Sequence, residues 1–364
     1  MTDWQNFLDL SVRQLAPSTP HDAQQNEPSS RLRAEYETVR TGCALVQRRD
    51  RALMELTGAD RAAWLHNLTT QGVKTLAAGD GAYAFVLNVQ GRILFDAGII
   101  VRESAILLDL HRDFLDRALK HLNKYHIVES VDITDRSAAS FRFALAGPRS
   151  AGLLAGLGAP HAGRMALWSS FLLDVRGTPV TVVRSDFCGL HAFDLLCEPA
   201  GAPDLFVALT DDSAGLRATP IGPDTLEIVR IESAVPAPGR EITDDVLPAE
   251  TNRFTEAVSL NKGCYLGQEI VERMRSRGAL ARRLVGLECH SGDVPPPGSE
   301  LLDSETVVGR ITSACRSLAL DRPIALAYVR SNLAEPGSMV TARSDIFSVQ
   351  ARVVSLPFVP CGSN

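Results

Sequence analysis

The chain has 364 residues, with 37 Lys and Arg against 43 Asp and Glu, a formal charge of −6, and 45% hydrophobic and 22% charged residues. That length and composition predict two or three globular domains, each with a core of its own. The acidic balance excludes a generic duplex-DNA coat, and no apolar run approaches the roughly 18–20 residues of a membrane span.

The opening MTDWQNFLDL lacks the basic-then-apolar order of a secretory signal, so a cytoplasmic protein with no membrane partner is expected. Trp4, Phe7, Leu8, Val12 and Leu15 fall at helical spacing. The polar PSTPHDAQQNEPSS that follows reads as linker, so residues 1–30 form an appendage that docks on the chain's own surface or on a partner. From residue 31, strands are predicted at 52–58, 83–89, 92–101, 105–110 and 141–147, with helices over 60–70 and 112–125. Next come a Gly-rich helix, strands at 171–177, 179–185 and 191–197, and helices at 203–210 and 225–234. Hairpin-like neighbours and this strand–helix ratio predict α+β sheets covered by helices on one side, not a doubly wound sheet. No dinucleotide fingerprint or phosphate loop occurs. Beyond about Leu280, short β runs between Pro/Gly turns predict a small closed β domain over 281–364. This leaves 31–280 as one α+β region.

Seven cysteines scattered without a CxxC pair are no disulfide framework, and the eight histidines stand at no zinc spacing, so no metal site is predicted from local motifs. One cysteine stands apart. In LNKGCYLGQEIVERMRSRG (260–278), Asn261-Lys262-Gly263 reads as a turn and a helix begins at Gln268. Cys264 therefore sits in a tight loop beside a lysine and ahead of a helix N-terminus. Both would favour the thiolate, and the flanking glycines leave it accessible. The alternative is an inconsequential loop cysteine. The arginines that follow (273, 275, 277, 282 and 283) read as a solvated face or as a basic rim for polyglutamate, RNA or an acidic partner.

Lys262-Gly263-Cys264-Tyr265-Leu266-Gly267-Gln268-Glu269 resembles the K-G-C-Y-x-G-Q-E signature of the YgfZ family. Leu87-Asn88-Val89-Gln90-Gly91-Arg92 with Asp96 resembles a segment shared with the glycine-cleavage T-protein. So does Arg230-Ile231-Glu232 with Pro236, Gly239 and Glu241, and RPIALAYV (322–329) fits the family's β domain. The resemblance covers residues 31–345. It implies T-protein-like α+β subdomains around a central channel, a C-terminal β-barrel, and a tetrahydrofolate or derivative as cofactor. It also implies a role in iron–sulfur cluster assembly or repair linked to tRNA modification, with iron–sulfur proteins or assembly factors as partners.

By the same resemblance, Asp194 is the expected pterin anchor, since a carboxylate suits the pterin's N–C–N donor edge. Asn88 and Asp96 belong to the folate segment. Tyr83, Phe95 and Tyr265 are candidate ring walls or core residues. Arg230 is either a fork for the glutamate tail or one half of an ion pair with Glu227 or Glu232. T-proteins carry adjacent acidic residues where this chain has Phe95-Asp96, and they lack the Lys-Gly-Cys-Tyr run. An aminomethyltransferase or demethylase working through Asp96 is therefore the second reading, and an RNA- or protein-binding module is the third. In the first, Cys264 acts on, or transiently binds, a cluster or a partner.

Overall fold

The computed structural model describes residues 4, 6–8, 29–212, 215–278, 280–290, 292–345 and 347–360. Helix α1 (Ser30–Thr41) leads into β1 (Ala44–Gln47) and β2 (Arg51–Thr57), and α2 (Arg61–Leu68) precedes β3 (Gly81–Leu87), β4 (Ile93–Val101) and β5 (Ile106–His111). After α3 (Leu115–Lys124) come β6 (Asp132–Asp135), β7 (Phe141–Ala146), α4 (Ser150–Gly156), β8 (Ser170–Val175), β9 (Thr178–Ser185) and β10 (Ala192–Cys197). Then follow α5 (Ala202–Thr210), the short β11 (Thr219–Pro220), α6 (Pro223–Glu232), α7 (Phe254–Ala257) and α8 (Gln268–Arg277). The last strands are β12 (Arg282–Cys289), β13 (Glu300–Asp303), β14 (Thr306–Ser317), β15 (Arg322–Arg330), β16 (Met339–Ser344) and β17 (Phe347–Val354).

These strands make a five-stranded sheet in the order β3-β4-β5-β2-β6, a six-stranded sheet in the order β11-β1-β7-β10-β9-β8, and a closed six-stranded barrel. Period-two alternation assigns the faces. In the first sheet, Ala84, Val86, Phe95, Ala97 and Ile99 pack on Trp64, Leu65, Ala118 and Leu122 of α2 and α3. In the second, Leu45, Phe143, Leu145, Phe193 and Leu195 pack on Leu153 and Leu154 of α4 and on Leu205 and Leu209 of α5. The opposite faces meet each other through Leu53, Ile100 and Leu107 against Val183 and Leu196. The predicted α+β sheets with helices on one side are what forms.

Trp4 and Phe7 pack into the second helix-covered core, their rings 5.3 and 4.9 Å from Phe206. This is docking on the chain's own surface, whereas Val12 and Leu15 lie outside the described residues. The short β1, β6 and β11 give no sequence signal of their own. β1 is buried at all four positions, so it shows no alternation to read.

The barrel packs through β14 and β15 on α6. Glu232, at the end of α6, accepts from the Tyr36 hydroxyl (2.5 Å), the Ser317 hydroxyl (2.6 Å) and the Leu318 and Ala319 amides (3.0 and 3.2 Å). Among the described residues, no helix is long and apolar enough to cross a membrane.

Candidate functional site

The inner face of the five-stranded sheet carries a buried carboxylate, Asp96, on β4. Its Oδ2 accepts from the Tyr83 hydroxyl at 2.7 Å, while its buried Oδ1 has no partner. Burial, with the Asp96 charge adding to it, raises the Tyr83 phenol well above its ordinary value and keeps it the donor of this pair. The Tyr83 ring is sandwiched. Trp168 stacks on it at 5.6 Å with 15° between planes, and the Arg253 guanidinium lies 4.9 Å from its centroid. Trp168 can approach the sheet because position 98 is glycine; a Cβ there would come within 2.4 Å of the indole. Arg253 is held by Asp186, at 2.7 and 3.2 Å, and by Glu256 at 3.0 Å. The β9–β10 loop, through Asp186, is thereby clasped to α7 over the Tyr83–Asp96 pair. Two open hollows of roughly 690 and 340 Å³ lie elsewhere, and neither is lined by Tyr83 or Asp96.

A layer of charge lies between the sheets. Asp109 on β5 bonds Arg51 at 2.9 Å and Arg142 of β7 at 2.5 Å. Burial alone would raise the Asp109 carboxyl, but the two guanidinium groups hold it low. Asp194 on β10 belongs to this layer. It is 4% exposed, its Oδ1 has no partner, and burial pushes its carboxyl up against the pull of Arg142 and Arg48. Asp194 is thus a second buried acceptor with an unused oxygen.

The two sequence motifs meet back to back. Asn88 spends its side chain inside its own turn, with Oδ1 accepting from the Gln90 and Arg92 amides at 2.9 and 3.0 Å, so it shapes the loop rather than reaching a ligand. Gly267, at the head of α8, has φ +83, and a Cβ there would lie 2.7 Å from the Asn88 carbonyl oxygen. At Gly91 (φ +72) a Cβ would lie 2.8 Å from Ile270. Both glycines are required by backbone conformation and by close approach.

Lys262 corrects an expectation. Its ammonium donates to the His66, Thr69 and Gln71 carbonyls at and just beyond the C-terminal end of α2, so its protons are committed there rather than to the Cys264 thiol. Burial pushes it down to about 7, against those three acceptors, which favour the charged form. Tyr265 is buried over this lysine at 4.9 Å, its hydroxyl without a partner and pushed up to about 12 by burial. The Asn67 carbonyl, in the last turn of α2, accepts from the Leu266 amide at 3.2 Å, which further ties the motif loop to that helix. Gly263 and Cys264 are exposed, Gln268 starts α8, and Glu269 lies exposed in its first turn, where a negative charge suits the helix dipole. The other described cysteines are buried; burial raises Cys43 and Cys197 to about 11 and Cys289 to about 12. Cys361 lies outside the described residues.

Two further expectations change. Arg230 bonds Glu227 at 2.7 and 2.8 Å, the Val235 carbonyl at 2.6 Å, Ser313 at 2.8 Å and Glu241 at 3.2 Å. Its fork is spent on joining α6 to the barrel, and the ion-pair alternative holds, with Glu227 but not Glu232. Phe95 faces the helix-covered core and is no ring wall, because it alternates with Asp96. Sequence reasoning passed over Trp168, Arg253 and Asp186. Trp168 sits at φ 68 in an irregular segment, where no periodicity marks it. Among the described residues, no three His, Cys, Asp or Glu side chains are grouped to hold a metal.

Comparison with known proteins agrees with this fold. The family model for the GCVT N-terminal domain matches residues 15–262, and that for the glycine cleavage T-protein C-terminal barrel domain matches 282–360. An aminomethyltransferase of Halalkalibacterium halodurans is 27% identical over 337 residues, covering 92% of this chain and 91% of that protein. An Arabidopsis thaliana protein named as a chloroplastic transferase is 30% identical over 307 residues, covering 82% and 68%. The crystal structure of glycine cleavage system aminomethyltransferase T from Bartonella henselae superposes with a TM-score of 0.80 at 23% identity, covering 90% of this chain and 89% of that one, a likeness of fold.

Proposed function

The chain belongs to the glycine cleavage T-protein family, and from that premise we propose that it is a cytoplasmic, folate-binding accessory factor for iron–sulfur cluster assembly or repair, of the YgfZ kind. Effects on tRNA modification would follow from the clients it serves. The observation that carries the folate half is the Asp96 carboxylate, buried beneath stacked Tyr83 and Trp168 with one oxygen unsatisfied. A buried acceptor left without a donor costs roughly 1–3 kcal/mol, which a bound N–H recovers. A tetrahydrofolate or derivative offers such N–H groups on its reduced pterin, and when bound it supplies one-carbon chemistry. Asp96 and Asp194 accept from the ligand, and the Tyr83 hydroxyl fixes the Asp96 rotamer. Arg253, clasped to Asp186, shields the Tyr83 ring from water.

The accessory half rests on the loop of Lys262 to Glu269. It presents Cys264 to solvent from a backbone anchored on α2 by Lys262 and on the Asn88 turn by Gly267. A cluster handled there is cargo, and its remaining ligands come from an iron–sulfur protein or assembly factor. A second reading, a folate-dependent aminomethyltransferase or demethylase, is favoured by the same Asp96 and by relatives named for that activity. It requires Asp96 and is indifferent to Cys264.

The test has two arms. Titration calorimetry with tetrahydrofolate should give saturable binding, weakened roughly tenfold by Asp96→Asn, the value of a charge-assisted hydrogen bond. Cells lacking the protein should recover iron–sulfur enzyme activity with the wild-type chain but not with Cys264→Ser. No saturation removes the folate reading, and full rescue by the serine variant with none by Asp96→Asn selects the transferase reading.

A further inference from the structure

The outer face of the barrel carries a cluster of like charge that the site above does not use. Arg282 on β12 lies directly across from Arg330 on β15, and Arg310 on β14 pairs with Tyr328, two residues before Arg330. Like charges directly opposite in a sheet are unfavourable. Arg282 is relieved by Asp245 at 3.0 Å and Glu250 at 3.2 Å. Arg310 and Arg330 are exposed; Arg310 faces Glu300 across β13 without closing an ion pair on it, and Arg330 has no carboxylate opposite it. On a chain of net charge −6, three guanidinium groups this close, two of them in no ion pair among the described residues, are a local exception.

The three arginines line the hollow of roughly 690 Å³, with Leu280, Val307 and Ser331. Val307 is 43% exposed, an apolar side chain left at the rim. Tyr328, an aromatic in the lining, is buried, with its hydroxyl on the Glu241 carbonyl at 2.8 Å and its ring beneath Arg282 at 4.8 Å. It has no face to offer a stacked base, the contact on which single-stranded nucleic-acid binding depends. A groove of free arginines beside an apolar rim is complementary to a segment that alternates carboxylates with aliphatic side chains.

We propose that this groove docks an acidic, aliphatic segment of a partner polypeptide, with Arg310 and Arg330 pairing its carboxylates and Val307 meeting its apolar side chains. The groove lies just past the C-terminal end of α8, the helix whose first turn follows the Cys264 loop. A partner held there is placed along the same element as the thiol. The inference does not depend on folate binding.

Fluorescence anisotropy of the full chain with a labelled peptide alternating Glu and Leu tests it, beside the same peptide with Gln for Glu and a labelled single-stranded oligouridylate. The acidic peptide should bind roughly tenfold or more tighter than the Gln peptide and weaken as salt rises from about 50 to 300 mM. Arg310→Gln with Arg330→Gln should abolish that preference at an unchanged melting temperature, Arg310→Lys with Arg330→Lys should keep most of it, and Val307→Ser should weaken both peptides. Equal binding of the two peptides, tighter binding of the oligouridylate, or an unaffected glutamine double variant would each overturn the proposal.

Discussion

A buried carboxylate with one oxygen bonded and one idle is an asymmetric group, and Asp96 is built that way by a single neighbour. Tyr83→Phe removes the 2.7 Å donor and leaves both Asp96 oxygens unsatisfied. The expected cost is about 1–3 kcal/mol of stability, read as a lower urea midpoint, and bound tetrahydrofolate should restore part of it. If ligand shifts the midpoints of wild type and variant by nothing at all, the idle oxygen is not a ligand acceptor. At Cys264 the expectation rests on exposure, because Lys262 is turned away to three carbonyls. Site-resolved iodoacetamide labelling at pH 7 should modify Cys264 before Cys43, Cys188, Cys197, Cys289 and Cys315, all of which are buried. Labelling of Cys289 or Cys315 at an equal rate would contradict the closed barrel face.

The residue types at the site were legible and their partners were not. Asp96, Tyr83 and Asp194 could be named from motif position, but Arg230 looks the same on paper whether its fork meets a ligand or Glu227. Only tertiary geometry decides, since Ser313 arrives from β14 of the barrel.

Among the elements, α8 begins on a left-handed glycine packed against another turn. Gly267→Ala forces a side chain into φ +83 and toward the Asn88 carbonyl, so it should cost roughly 1–3 kcal/mol or more. Gly263→Ala, whose Cβ meets nothing within 4 Å, is the control and should be near neutral. Urea unfolding of the pair checks the contrast, and equal midpoints would deny that the two motifs bear on each other. On α3, His121 packs near Phe95 and Tyr125, and burial, aided by Lys124, pushes it from 6.5 down to about 4. A depressed imidazole is neutral in the fold and charged in the unfolded chain at mildly acid pH. Stability is therefore lost as pH falls from about 6.5 to about 4. With solvent screening allowed for, the loss from this one group is about 1–2 kcal/mol. His121→Phe should flatten the pH dependence of the melting temperature over that window, and an unchanged slope would assign the acid sensitivity elsewhere. Helices with an apolar stripe, such as α3, announce themselves in sequence. β1 does not, being buried on both faces and only four residues long.

At the scale of the molecule, Glu232 is the fastening between the two-sheet body and the barrel. Glu232→Ala would strand the Tyr36 and Ser317 hydroxyls and two backbone amides, at about 1–3 kcal/mol for each donor left without an acceptor or water. The barrel should then release first, with new proteolytic cleavage near Gly278–Arg282. A single unfolding step at the wild-type midpoint would refute this. The barrel could be read from its short strands and turns, whereas the fastening could not, since on paper Glu232 offers itself only to Arg230 and its donors come from residue 36 and from 317–319.

The connectivity also sets a timetable. β1 pairs with β7 through Ala44 and Ala146 and with β11 through Ala44 and Thr219, while β2 to β6 of the other sheet are all threaded between. On a ribosome, β1 emerges with no partner and waits about a hundred residues for the first of them, the loop closing at a slowly growing entropic cost. The five-stranded sheet has all its strands in hand during that wait. Its completion brings Arg51 and Arg136, where the chain enters and leaves that sheet, onto one body and shortens the effective gap that β1 must close. An arrested nascent chain ending just past β6 should therefore already protect the five-stranded sheet, and leave the fully apolar Ala44–Val46 run as the segment that a chaperone sees.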